Sequence, residues 1–176
     1  MAGNLFLRVR RPAIPPSLDR LILCGGHGST ALGSPIGGCL PFPVSGRVVK
    51  TRLVDGSYYA EALSEGFDPA GPDNSQGYIT HVASRALIFI EADNPDIGLM
   101  VAIFVGMSEV SSNEITVYEG QHVDKGDQLG TFRFGGSTHC LVFRPKVNLK
   151  FDLHGQHPSL QSGNIPVRAR IATIVE

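Results

Sequence analysis

Glycine and proline limit the fold of this sequence more than any other feature: 21 glycines and 12 prolines are spread over 176 residues. Both residue types interrupt helices and punctuate turns, so short strands joined by tight loops are expected in place of a helical bundle. At this length the chain fits one domain, and 42% hydrophobic with 18% charged residues suits a globular protein with a buried core. The longest apolar runs, residues 86–90 and 99–105, are far shorter than the roughly 20 residues a membrane-crossing helix needs. They suit two central strands buried on both faces. The formal net charge is −1, and no basic run follows Arg8, Arg10 and Arg11, which argues against nucleic acid as the main partner.

Cys24, Cys39 and Cys140 form an odd set with no Cys-x-x-Cys spacing, so neither a disulfide framework nor a zinc site is expected. A reducing compartment follows, with the cytoplasm first. The basic, acid-poor first thirty residues keep mitochondrial targeting open, although Pro12, Pro15 and Pro16 would break the amphipathic helix such a segment needs. Residues 1–40 read as a Gly- and Arg-rich arm, poorly ordered, and residues 41–176 as the folded domain. Within that domain residues 46–54, the Asp55-Gly56 turn and Tyr58-Tyr59 read as a β-hairpin. Residues 64–77 read as a long loop. Residues 115–134 read as short strands with tight glycine corners. The expected fold is mainly β (a β-rich α+β class), with antiparallel sheets, few short helices and a core like a barrel-sandwich hybrid. Carrier domains of that architecture present a lysine beside a methionine, and none of Met1, Met100 and Met107 neighbours one.

The stretch that carries chemistry is Lys125-Gly126-Asp127, then Gly130-Thr131-Phe132, then Gly135-Gly136-Ser137-Thr138, an apolar strand from Cys140 to Phe143, and Lys146-Val147-Asn148-Leu149. It resembles the signature of the phosphatidylserine decarboxylase family. The resemblance extends over residues 43–175, through Pro43-Val44-Ser45-Gly46, residues 85–89, Asp93-Asn94, Ile97-Gly98 and Val105-Gly106-Met107 with Val110. From residue 55 to 118 the wording is similar to soluble fungal-type members, some of which act on free aromatic amino acids. A second triplet, Gly28-Ser29-Thr30, lacks the flanking turn and strand and carries no weight.

The resemblance implies a proenzyme that cuts itself between Gly136 and Ser137. Two glycines permit the bent backbone that lets a hydroxyl attack the carbonyl of the preceding residue. The Ser137 oxygen takes the acyl group from nitrogen, and β-elimination with loss of ammonia leaves a pyruvoyl group. That group is the implied cofactor, derived from the chain itself, with no metal and no external cofactor. It forms a Schiff base with a substrate amine and accepts the electrons released with carbon dioxide. The implied reaction converts phosphatidylserine to phosphatidylethanolamine, a step of phospholipid biosynthesis. The alternative substrate is a free aromatic amino acid such as tryptophan. Lipid as substrate would bring peripheral membrane contact, and a homo-oligomer stays open.

Thr138 completes the processing triplet. His139 is a candidate for protonating the decarboxylated intermediate, against the plainer reading of a strand histidine facing solvent. Arg85 is a candidate for a carboxylate or phosphate, while Phe104, Met107 and Tyr118 are candidates for the substrate pocket, against ordinary packing. Cys140 is expected in the core, and His122 in a polar turn without a catalytic role. The chain departs from its family at one place: where members carry Tyr-His-Arg-x-His-x-Pro, the two histidine positions hold Gly38 and Pro41. An upstream aspartate is missing as well. A serine without its base is a weak nucleophile, and general-base help is worth about 10²–10⁴-fold, so slow or absent maturation is expected. Two readings follow: a family member with a lost or misassigned front end, or an uncleaved pseudoenzyme that keeps the fold.

Overall fold

The structure, a computed structural model, describes residues 5–7, 21–25, 38–63, 75–106, 108–133, 138–156 and 169–175. Strands β1 (Leu5–Leu7), β2 (Leu21–Gly25), β3 (Gly38–Pro41) and β4 (Gly46–Val54) precede the short helix α1 (Gln76–Val82). The long strands β5 (Arg85–Ala92) and β6 (Leu99–Val105) follow, then a 3₁₀ turn at Ser108–Val110. Next come β7 (Glu114–Ile115), β8 (His122–Val123), β9 (Gln128–Phe132) and β10 (Thr138–Phe143). The last strands are β11 (Leu149–Phe151) and β12 (Ala172–Ile174). They form a seven-stranded sheet in the order β1-β2-β10-β6-β5-β4-β8, a three-stranded sheet β3-β9-β7 and the pair β11-β12. Every ladder is antiparallel, which agrees with the β-rich class read from the glycines and prolines. β1, β2 and β3 fall within the stretch read as a loose arm, and the rest of that stretch lies outside the described residues.

The two apolar runs are central strands, as expected, but their faces differ. On β5 and β6, Ala86, Ile88, Ile90, Met100, Ala102 and Phe104 are buried, while Leu87, Phe89, Val101 and Ile103 on the opposite face are only half-buried. The buried face joins Phe42, Val48, Leu129 and Phe132 in the main core. There Phe104 and Phe132 meet edge to face, with ring centroids 6.3 Å apart. The other face receives Ile79 of α1 and Ala83, just past its end, against Val105 and Cys140 near one end of the sheet. Cys140 is a core residue, 1% exposed.

The expected hairpin after β4 does not form. β4 pairs with β5 from Gly46↔Ala92 to Val54↔Arg85, with one bulge between Val48 and Lys50. Ser57 makes an isolated parallel bridge to Ala83, and Tyr58 and Tyr59 remain exposed. Asp55-Gly56 is a genuine turn signal, but pairing β4 with a strand whose alternate residues are buried removes far more apolar surface from water than pairing it with two exposed tyrosines. The long loop is corrected at its end, where residues 76–82 are helical. Ser75 gives no side-chain cap to this helix, because its hydroxyl accepts from the Ala62 N–H instead. Gly77 and the β-branched Ile79, Thr80 and Val82 further mute the helical signal. The glycine corners between β8 and β9 hold: Gly126 has φ +96, a conformation that glycine adopts without strain, and its N–H bonds to Phe42 O.

Candidate active site

Antiparallel pairing gathers most of the residues singled out from sequence at one end of the seven-stranded sheet. A row of backbone partners runs Gly25, Thr138, Val105, Arg85, Val54. The next row inward runs Cys24, His139, Phe104, Ala86, Leu53. Ser137 and Gly136 directly precede Thr138 and lie outside the described residues, as do Met107, Phe134, Gly135 and the second triplet Gly28-Ser29-Thr30.

Alternation of side chains along a strand puts the two rows on opposite faces. His139 and Phe104 share the face of the main core. Their rings lie 6.2 Å apart at 37°. The imidazole is only partly exposed, so it does not face solvent as the plainer reading had it. Burial pushes its pKa down to about 4, because the charged form would lose hydration without gaining a partner. At neutral pH His139 is therefore an uncharged ring of low basicity. A catalytic base works best with a pKa near the working pH, and burial takes His139 away from that range.

Arg85 emerges on the other face, beside α1. Its guanidinium donates to Thr80 O at 3.3 Å and to His81 O. Those carbonyls belong to the last turn of the helix, where a cation complements the unpaired acceptors. Arg85 and Phe104 thus do not line one pocket together. Tyr118 is 69% exposed and lies in the turn before β8, the edge strand three places from β6. His122 pairs with Asp93 at 2.8 Å, at the opposite end of the sheet.

Beyond the two rows the chain folds over in a set of polar contacts that composition does not announce. Ser84 O accepts from the Gly106 N–H at 2.9 Å, joining the start of β5 to the end of β6. Asn113, 2% exposed, donates its amide to the Ser84 hydroxyl at 2.6 Å. A Cβ on Gly106 would lie 2.6 Å from Ser111 Cα and 2.9 Å from Asn113 Nδ2, so the approach requires glycine there. On the other side, Ser112 Oγ accepts from the Arg133 N–H at 2.8 Å, and Arg133 reaches Glu114 at 3.5 Å. Ser84, Gly106, Ser112 and Asn113 look like ordinary turn residues in sequence, and only the fold brings them together.

An open surface depression of about 530 Å³ lies at this end, lined by Leu53, Ser112, Asn113, Glu114, Ile115 and Arg133. Leu53 and Arg133 are exposed there, and Arg133 stands four residues before Ser137. Of the two positions where histidine was expected, Gly38 pairs with Phe132 at the end of β9, whereas Pro41 pairs with Gln128 at its start. A second depression, about 380 Å³, lies along β11 and β12 beside Asp152 and Arg170, away from these rows. Among the described residues no three His, Cys, Asp or Glu side chains are grouped to hold a metal ion. No helix among them is long and apolar enough to cross a membrane.

Comparison with known proteins agrees with the geometry. A family model described as phosphatidylserine decarboxylase matches residues 39–166. The chain is 45% identical over 135 residues to a decarboxylase of Amanita muscaria, covering 68% of this chain and 38% of that protein. It is 48% identical over 111 residues to the L-tryptophan decarboxylase of Psilocybe cubensis, covering 58% and 25%. Phosphatidylserine decarboxylase proenzyme 3 of Schizosaccharomyces pombe is 31% identical over 105 residues, covering 60% and 10%. The chain thus spans well under half the length of each of these relatives.

Proposed function

Because the chain belongs to the phosphatidylserine decarboxylase family, we propose that it is the part of a pyruvoyl-dependent decarboxylase that carries the self-cleaving serine, with Ser137 as pyruvoyl precursor and Gly136 as the new carboxyl terminus. What supports this reading is the family match together with the place of Thr138, the residue that follows Ser137 in sequence, at the start of β10 between β2 and β6.

These residues fit the group. Gly135 and Gly136 supply the conformational freedom that an acyl shift onto the serine oxygen demands, and Thr138 anchors the product strand in the middle of the sheet. When present, the pyruvoyl group supplies an electron sink for loss of carbon dioxide from an α-amino acid carboxylate. The protein's own share is to hold the new terminus at the strand end, to line the depression with Leu53 and Ile115, and to keep His139 neutral against Phe104.

The substrate class is an α-amino acid. A free aromatic amino acid is favoured over phosphatidylserine, since identity is 48% to a tryptophan decarboxylase and 31% to a phosphatidylserine decarboxylase. Phosphatidylserine, with the peripheral membrane contact it would bring, is the second reading, supported by the family match.

The test is intact mass after denaturing electrophoresis, on wild type and Ser137→Ala. Cleavage before residue 137 with a blocked new terminus, absent in Ser137→Ala, supports the proposal. A wild-type chain that stays whole under every condition tried makes this a pseudoenzyme. Carbon dioxide release from tryptophan and from phosphatidylserine in vesicles then decides the substrate. Without the histidines replaced by Gly38 and Pro41, cleavage is expected to be slow, and histidine at position 38 is expected to speed it more than histidine at position 41.

A further inference from the structure

Strand β4 is longer than the strand that covers its outer edge. On one side it pairs with β5 along its whole length, from Gly46↔Ala92 to Val54↔Arg85. On the other it pairs with the two-residue β8 only at Gly46 and Arg47. That contact ends at Val48, whose N–H donates to Gln121 O and whose carbonyl accepts from the Gly120 N–H, both at 2.8 Å. Beyond the bulge between Val48 and Lys50, the Thr51 N–H donates to a side chain, Glu119 Oε1, at 3.2 Å. Leu53, two residues on, directs its backbone to the same edge and has no bond there among the described residues. Val49 and Leu53 are 49% and 59% exposed.

A second strand edge borders the same open depression. Leu53 shares its lining with Glu114 and Ile115, which form β7, the outermost strand of the three-stranded sheet. An uncovered edge is a template for one more strand, and β4 dictates what that strand must carry. Side chains set opposite Thr51 and Leu53 would share the face of Ile88 and Ala86 and meet Leu53 and Ile115, so they must be apolar. Those set opposite Lys50 and Arg52 would lie on the other face. Both cations are exposed, and neither has an acidic partner among the described residues. Opposite charges across a ladder attract and like charges repel. A second copy of β4 would set these cations against each other, so the edge selects against its own kind and in favour of an acidic strand.

We propose that the outer edge of β4, from Val49 to Val54, binds an extended peptide that alternates apolar and acidic residues, adding it as a strand whose apolar side chains enter the depression beside β7.

The experiment uses the whole chain and two fluorescein-labelled peptides, one alternating valine with glutamate and one alternating valine with lysine. Anisotropy at low salt is expected to show the glutamate peptide binding at least about tenfold more tightly. Amide hydrogen exchange at Leu53 is expected to slow in that complex, because the outward N–H gains a carbonyl. The double variant Lys50→Glu, Arg52→Glu changes two exposed side chains, so it is expected to fold and to reverse the preference. Equal affinity for the two peptides, or a preference that the double variant leaves unchanged, overturns the proposal. Binding without slowed exchange at Leu53 places the peptide elsewhere and overturns it too, as does no binding of the glutamate peptide at all. A dimeric chain whose Leu53 amide is already protected would make a second copy the occupant, which also overturns it.

Discussion

The two ends of the seven-stranded sheet are built on different terms. At the end where β5 finishes and β6 begins, the turn at residues 93–98 is closed by Ala92 N to Gly98 O, Asp93 N to Ser45 O and Gly98 N to Asn94 O. Arg144 adds bonds from Nε and Nη2 to Ile97 O, at 3.1 and 2.9 Å. Carbonyls there have partners and charges sit in water. At the opposite end, Ser111 and Asn113 bury polar atoms without partners among the described residues, burial holds His139 neutral, and an open depression lies beside Arg133. Partly satisfied buried groups are costly, so among the described residues this end of the sheet contributes less to stability than the other.

That contrast is broken most severely at Phe104, where the site end joins the common core. Phe104→Ala removes a ring packed against both Phe132 and His139. A loss of about 3–5 kcal/mol is expected, read from the urea midpoint. The His139 pKa should rise from about 4 towards 6.5 as water enters, which NMR titration of the imidazole would follow. An unchanged His139 would mean that Phe104 does not enclose it.

Next in size is the pH dependence that His139 imposes. Its folded pKa, about 4, lies below the ordinary histidine value of 6.5, so between those values the unfolded chain binds more protons than the folded one. The stabilising contribution is complete above pH 6.5 and lost as pH falls through 4. A difference of this size is worth at most about 3 kcal/mol, less where solvent reaches the ring. Unfolding midpoints at pH 7 and pH 4.5 should differ less in His139→Gln than in wild type. An identical slope in both would assign the acid sensitivity to other groups.

The far end gives a smaller and purely structural effect. Arg144→Ala deletes the bonds that brace the 93–98 turn, and a loss of about 1–3 kcal/mol is expected. The rate of cleavage before residue 137, followed by intact mass, should not change. If it did, the two ends would be coupled through β6 and β10 and the division drawn above would not hold.

How legible all this was in the sequence follows the range of the interactions involved. The central strands at 86–90 and 99–105 were readable because continuous apolar runs record burial directly, and the family was readable because Gly135-Gly136-Ser137-Thr138 sits in a long local pattern. The partner of β4 was not readable, since Asp55-Gly56 advertises a local hairpin while β5 lies about thirty residues on. Helix α1 escaped notice because it is short and carries Gly77 with the β-branched Ile79, Thr80 and Val82. The contacts among Ser84, Gly106 and Asn113 are the least legible part: these are small turn residues far apart in sequence, and only the ends of β5, β6 and β7 coming together brings them into contact.

Arg85 is where sequence and structure divide most usefully, and it carries the smallest effect. Its position at a strand start, where members of the family also carry an arginine, suggested an anion-binding side chain or a structural ion pair. The fold points it across the sheet face at the carbonyls of Thr80 and His81, away from Phe104 and His139. A cation at a helix C-terminus contributes about 0.3–1 kcal/mol. Arg85→Met keeps the apolar stem and removes the charge, so it should lower stability by about that much, with kcat and KM for an amino acid substrate unchanged in the cleaved enzyme. A severalfold rise in KM at constant stability would restore Arg85 as a substrate ligand. It would also show that the site uses both faces of the sheet, which would move its boundary from the depression beside Arg133 to the junction with α1.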